Sequence, residues 1–400
     1  MNVDHTSDNR GGDEEETLSP QNNSELFGHE KAEATLYAAW KSGHLQHAWL
    51  ISGPEGIGKA TLAHRFARFL LSSRNVDGAA DDGNRSNGNV GGGDLFADDQ
   101  ECAPPEELRG ELYTNPGSRI FQRVAAGGHA DMLTVTRSID LKTNKLRSEI
   151  VVDDVRRIGS FLHMTAAEGG FRVVVIDPGD EMNRNAANAL LKSLEEPPVN
   201  TVIMVVSHMP GRFLPTIRSR CRELRLRPLG EADFTKVMAR GQSQMDPAIM
   251  AELFRLSEGS PGKALRLVEE GGLELYHELL ALLSSLLPGE AERSVGTDTA
   301  ALHTLADKVA GKKGEAAYRT LADLLSSWIC HLIRLGAGQT EGGAVESPVM
   351  QRFLAAASLD QWLDVWDNQQ ALFAQTDRLN LDRRQAILNA FFSLEKTVRA

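Results

Sequence analysis

Two apolar patterns succeed one another along the chain. From residue 25 to residue 228, short continuous apolar runs alternate with stretches in which apolar positions recur every three or four residues. That is the signature of strands buried between helices. Residues 47–52 (HAWLIS), 132–136, 171–176 and 201–206 read as strands, and the last two are almost wholly apolar, as strands covered on both faces are. Residues 60–72 and 151–164 read as helices. In the second, Val152, Val155, Ile158 and Leu162 follow helical spacing, and Asp153 and Asp154 stand near its start, where negative charge complements the helix dipole. Leu224 and Leu226 alternate with Arg225 and Arg227, as in an edge strand with one face in water. The expectation is an α/β domain over 25–228 built on a parallel sheet.

After Pro228 the strand pattern stops. Residues 229–272 predict a small helical lid domain ending at Gly271 and Gly272, and 273–400 predict an all-helical domain. A helix from Leu275 places Leu279, Leu282, Leu283 and Leu286 on one face, and 318–335, 359–376 and 379–398 are further amphipathic stretches. No apolar run approaches the roughly 20 residues of a membrane helix, so no membrane contact is expected.

Three segments fit neither pattern. Residues 1–24 are polar and acidic and predict a disordered arm; 75–107, rich in Gly, Asn and Asp, predict a flexible acidic insertion; 336–347 predict a loop between helices. These segments change the meaning of the net charge of −12. Residues 1–20 and 76–107 together carry −13, so the rest of the chain is close to neutral and free to hold local basic patches. The acidic start lacks the basic and then apolar pattern of an export signal. The three cysteines, Cys102, Cys221 and Cys330, are far apart and form no C-x-x-C pair, so neither a four-cysteine zinc site nor any other structural metal is expected. A reducing, cytoplasmic location fits best.

The strongest chemical signal follows the first strand. Gly53-Pro54-Glu55-Gly56-Ile57-Gly58-Lys59 fits G-x-x-x-x-G-K between a strand and a helix. In that setting glycines let backbone N–H groups close on phosphate oxygens, the helix N-terminus adds positive potential, and the lysine reaches the outer phosphates. The next position, where a Ser or Thr hydroxyl should meet Mg²⁺, is Ala60, and Thr61 lies about 100° further round the helix. Val173–Ile176 leads to Asp177, an acid at a strand end that could hold Mg²⁺ or its water. The glutamate that should follow to polarise water is Pro178. Asp180 and Glu181 come later and read as a helix start. The site is expected to take ATP or ADP, to hold Mg²⁺ weakly or not at all, and to hydrolyse slowly or not at all.

Further on come Asn185-Ala186-Ala187-Asn188-Ala189-Leu190-Leu191-Lys192-Ser193-Leu194-Glu195-Glu196-Pro197-Pro198, then Ser207-His208-Met209-Pro210, then Leu214-Pro215-Thr216-Ile217-Arg218-Ser219-Arg220-Cys221. In this order, behind a P-loop and an acid-ended strand, they resemble the clamp-loader branch of the AAA+ proteins over residues 25–270. The resemblance implies a AAA+ P-loop domain, a helical lid and a helical collar. It also implies that Arg220 is an arginine finger offered to the ATP site of a neighbouring subunit, a task suited to a planar, always charged guanidinium. On spacing alone, Arg220 is one of six arginines between Arg212 and Arg227 on a solvated loop and strand. Ser207 matches the first sensor position, where a capping serine would look the same. Lys263, in Gly259-Ser260-Pro261-Gly262-Lys263-Ala264, matches the second sensor, where the family commonly has arginine; equally, Ser260 and Pro261 read as a helix cap and first position. His47 reads as a packing residue rather than an adenine contact. The zinc module of many members is missing.

What the resemblance implies for function is a largely non-hydrolysing member of a five-subunit loader. Its partners would be gamma/tau and delta subunits, with the sliding clamp and primed DNA reached through the assembly. It would thus be a component of a DNA-directed DNA polymerase holoenzyme. An ATP-hydrolysing motor of the gamma/tau type is the alternative, disfavoured by Ala60 and Pro178. A nucleic-acid-binding module acting through the arginines at 212–227 ranks third, because no helix-turn-helix or aromatic stacking platform is visible.

Overall fold

The structure is a computed structural model that describes residues 19–73, 110–140, 142–241, 245–287, 299–311, 314–339 and 348–399. The chain divides into two compact units, Met1–Ser243 and Gln244–Ala400. This division falls inside the segment 229–272 read as a lid.

In the first unit the order is α1 (Glu30–Lys41), β1 (Ala48–Ser52), α2 (Lys59–Ser72), α3 (Arg119–Ala125) and β2 (Met132–Val135). A two-residue hairpin follows, β3 (Ile139–Asp140) and β4 (Lys145–Leu146), and then α4 (Val152–His163), β5 (Arg172–Ile176) and α5 (Arg184–Glu195). The unit closes with β6 (Thr201–Ser207), α6 (Pro215–Arg218), β7 (Arg222–Arg225) and α7 (Glu231–Gly241). Five strands form one parallel sheet in the order β2-β5-β6-β1-β7.

Because side chains alternate along a strand, each central strand feeds two cores. Trp49, Ile51, Val173, Val175, Met204 and Val206 pack with Leu36, Leu62 and Phe66 on the face covered by α1 and α2. Leu50, Val174, Ile176, Ile203 and Val205 pack with Ile158, Leu162 and Leu190 on the face covered by α4 and α5. This double coverage is why β5 and β6 read as continuous apolar runs, and it makes the unit a three-layer α/β/α sandwich. Strand β7 lies at the edge beside β1 and begins two residues earlier than the Leu224–Leu226 alternation indicated. Leu226 is buried just past its end and donates its N–H to the Ser52 carbonyl at 2.8 Å.

One segment departs from expectation. Residues 19–24, read as part of a disordered arm, are bound to α2: the Arg68 guanidinium donates to the carbonyls of Gln21 and Asn23, each at 2.7 Å, and Arg65 donates to that of Ser24. Backbone carbonyls accept from two buried guanidinium groups, which composition does not reveal. Residues 1–18 of the arm and the whole acidic insertion lie outside the described residues, as do 340–347 of the third loop.

The second unit is helical throughout its described residues. Its helices are α8 (Pro247–Ser257), α9 (Pro261–Glu269), α10 (Gly272–Leu286), α11 (Thr299–Ala310), α12 (Glu315–Gly336), α13 (Pro348–Ala356), α14 (Leu359–Leu379) and α15 (Arg383–Arg399). The apolar face read from Leu275 is buried along α10. Trp328, Phe353 and Trp362 bring α12, α13 and α14 together, with ring centroids 5.0 and 5.5 Å apart. Among the described residues no helix is long and apolar enough to cross a membrane.

Candidate functional site

The C-terminal ends of β1, β6 and β5 lie side by side, with Ser52 opposite Ser207 and Val205 opposite Ile176. The strand order therefore gathers three sequence-distant features at one sheet edge: the glycine loop after β1, Ser207 at the end of β6 and Asp177 after β5. Gly53, Gly56 and Gly58 have φ of +148°, +75° and +97°, the region that glycine enters without strain. At Gly53 a Cβ would stand 2.6 Å from the Leu226 carbonyl oxygen, so only glycine lets the loop leave β1 so close to the chain beyond β7. Lys59 opens α2, followed by Ala60 and then by a buried Thr61.

The loop is held from below by His29. Its Nε2 lies 2.6 Å from the Ile57 carbonyl oxygen, an acceptor, so the Nε2–H donates. Burial keeps this imidazole's pKa below the usual value, which fits a neutral ring. Lys59 is almost fully buried and its Nζ donates to the Pro54 carbonyl within the loop. Burial pulls the ammonium down to about 8, against the opposing pull of Asp177, Glu55 and Asp180. Asp177 is the mirror case: burial pushes its carboxyl up to about 6, against the attraction of Lys59. The two groups thus share a poorly hydrated site in which each offsets part of the other's desolvation.

Ser207 is brought to this edge but is already engaged. Its Oγ donates to Asp180 Oδ1 at 2.8 Å, and the backbone N–H groups of His208 and Met209 donate to the same carboxylate. Asp180, read as a helix start, sits in a 3₁₀ turn (Gly179–Glu181) and latches the chain leaving β6. No local pattern announces this partnership across 27 residues.

The glycine loop, the α2 N-terminus and Lys59 fit a polyphosphate. The donor set fits a divalent cation poorly: Ala60 supplies no hydroxyl after Lys59, and the Asp180 carboxylate is already taken by Ser207, His208 and Met209. Among the described residues no group of three or more His, Cys, Asp or Glu side chains could hold a metal ion.

Arg220 is not brought to this edge. Strand β7 pairs Arg222 with Trp49, near the start of β1, and Arg220 precedes β7 by two residues. It therefore lies beyond the N-terminal edge of the sheet, a strand length of about 16 Å from the edge that carries the glycine loop. There its Nη2 meets Glu195 Oε1 at 2.8 Å and its Nη1 donates to the Thr216 carbonyl at 2.9 Å. His47 belongs to the same edge, its Nε2 donating to the Leu194 carbonyl at 3.0 Å, in keeping with a packing role. Lys263 belongs to the second unit. It stands in the first turn of α9, and its backbone N–H is capped by Ser260 Oγ at 3.3 Å behind Pro261.

A P-loop on the first strand, an acid-ended strand two places away in a parallel sheet, and a run of helices after them in the chain define the fold class: an α/β P-loop domain followed by helices. The comparisons sharpen this. Residues 95–230 match the family model described as "DNA polymerase III, delta subunit". The chain is 35% identical over 241 residues to the DNA polymerase III subunit delta' of Pseudomonas aeruginosa, covering 60% of this chain and 61% of that protein. It is 30% identical over 253 residues to the delta' subunit of Escherichia coli, covering 63% and 64%. The gamma subunit of Buchnera aphidicola is 26% identical over 254 residues, covering 62% of this chain and 58% of that protein. The chain thus resembles the delta-prime members of the clamp-loader family, and the matches span about three fifths of the relatives' length. A gamma subunit-related protein from Thermotoga maritima aligns at TM-score 0.32 and 21% identity, covering 68% of this chain and 84% of that one. A RuvB variant of the same organism aligns at 0.36 and 15%, covering 87% and 90%. At those TM-scores neither adds to the fold assignment, which rests on the strand order.

Proposed function

We propose that this chain is the delta-prime subunit of a bacterial DNA polymerase III clamp loader. In this reading it works in the cytoplasm, in a five-membered ring with gamma/tau and delta subunits, and helps to set a sliding clamp on primed DNA. Its own glycine loop takes ATP or ADP as a structural ligand. Without a hydroxyl at Ala60 or an acid at Pro178, that loop leaves turnover to neighbouring subunits. Arg220 is donated in trans to the ATP site of an adjacent gamma/tau subunit, where its fixed charge stabilises the negative charge of the transferring phosphoryl group.

The observation that carries the reading is the placement of Arg220. It stands at the opposite edge of the sheet from its own glycine loop, so any phosphate that it serves must belong to another chain. Delta-prime relatives at 30–35% identity supply the assembly in which such a neighbour exists.

The test is a reconstituted loader with clamp and primed DNA, carrying wild-type chain or Arg220→Ala. Loss of an arginine finger typically costs 10³-fold or more at the site it serves. Clamp loading should therefore fall at least about tenfold with assembly intact by analytical ultracentrifugation. An unchanged rate would leave Arg220 a surface residue. Turnover by the isolated chain, abolished by Lys59→Ala, would instead favour a motor of the gamma/tau type.

A further inference from the structure

The segment Leu194-Glu195-Glu196-Pro197-Pro198 has no part in the glycine-loop site, yet it meets Arg220. Pro197 and Pro198 cannot continue a helix, so α5 stops with Glu195 as its last residue. The end of α5 is held from the sheet side by His47, through the Leu194 carbonyl. A carboxylate is poorly placed at a helix C-terminus, where the dipole is already negative, unless a cation faces it. Arg220 is that cation, with Nη2 2.8 Å from Glu195 Oε1. On its other side Nη1 is tied to the Thr216 carbonyl at 2.9 Å. The Arg220 side chain is about one third exposed, at 35%. It is therefore presented at the surface in one orientation by a carboxylate and a backbone carbonyl from two separate elements.

We propose that Glu195 is a positioning residue for Arg220: it fixes the guanidinium for delivery to a neighbouring chain's triphosphate. The inference rests on the trans role of Arg220 proposed above. An unrestrained arginine samples many rotamers, and fixing it beforehand removes that entropy cost from the step in which it docks. A triphosphate carries more charge than one carboxylate, so it takes over the Nη2 that Glu195 holds while Nη1 stays on the Thr216 carbonyl.

The experiment uses the full chain in the reconstituted loader, with ATP titrated in the presence of clamp and primed DNA. Glu195→Gln should lower the stimulated kcat about tenfold, the scale of one long side chain's rotamer freedom, with KM for ATP and assembly unchanged. Glu195→Asp, which keeps the carboxylate, should recover at least half of the loss. Glu195→Gln added to Arg220→Ala should lower the rate no further than Arg220→Ala alone. A purely structural Glu195 would lower thermal stability and assembly in both backgrounds without this kcat pattern, and that result would overturn the positioning role. Wild-type kcat in Glu195→Gln beside an impaired Arg220→Ala would overturn it as well, while sparing the trans arginine. An Arg220→Ala loader as active as wild type would sink the reading of Arg220 and the positioning role with it.

Discussion

Replacing Glu33 by alanine should cost the first unit about 3–5 kcal/mol, because the substitution breaks a buried pair and strands its partner. Glu33 lies on α1 at 4% exposure, and Oε1 accepts from Arg65 Nε at 2.8 Å and from the Leu112 N–H at 2.9 Å. Arg65 is 2% exposed, on the helix that begins with Lys59, and packs over the Tyr113 ring with 5.8 Å to the centroid. Without the carboxylate, the Arg65 charge keeps the Ser24 carbonyl but loses its counter-ion, and the Leu112 amide loses its acceptor. The amide alone is worth about 1–3 kcal/mol. Glu33→Gln keeps an acceptor oxygen and should lose about half as much. The double variant Glu33→Leu with Arg65→Met removes both charges and should return to within about 1–2 kcal/mol of wild type, since apolar replacements of a buried pair are often neutral. Hydrogen exchange against urea, read on peptides from α1 and α2, reports this unit without averaging over the second. A loss under about 1 kcal/mol in Glu33→Ala, or a double variant less stable than both single ones, would refute the argument.

Two further predictions concern the same unit. His64 on α2 is buried with Nδ1 unpaired, and burial, aided by Arg68, lowers its pKa to about 4. The unfolded chain takes up its proton near pH 6.5, so between about 4 and 6.5 the unfolded state binds more protons and stability falls as the pH falls. The loss on acidification should approach about 3 kcal/mol and be absent from His64→Leu, as urea midpoints from pH 7 to pH 4 would show; parallel profiles would refute it. Gly53→Ala, at φ +148° and against the Leu226 carbonyl, should cost about 3 kcal/mol. Gly43→Ala, at φ +73° with nothing within 4 Å of the added Cβ, should cost about 1 kcal/mol in the same exchange measurement. Equal losses would show that the close approach at Gly53 carries no weight.

Much of this architecture is written locally. Residues 173–176 and 202–206 are continuous apolar runs of strand length, as strands covered on both faces are, and the structure covers them with α1 and α2 on one side and α4 and α5 on the other. Val155, Ile158 and Leu162 lie at helical spacing and are buried along α4, as Leu275, Leu279, Leu282, Leu283 and Leu286 are along α10. The glycine loop was legible for the same reason: its φ values, its place between strand and helix and its lysine are all fixed within seven residues. Periodicity and backbone preference act over a few residues, and a sequence displays them directly.

What only the tertiary structure decided are the meetings of distant groups. The strand order puts β6 between β1 and β5, and that alone sets Ser207 beside the glycine loop and gives its hydroxyl to Asp180. Residues 19–24 look like any polar arm until Arg65 and Arg68 present buried donors to their carbonyls. Glu195 and Arg220 are 25 residues apart, one ending a helix and the other preceding an edge strand, with no spacing rule to connect them. Such contacts depend on which elements become neighbours, a choice made by burial over the whole sheet and not by any single segment.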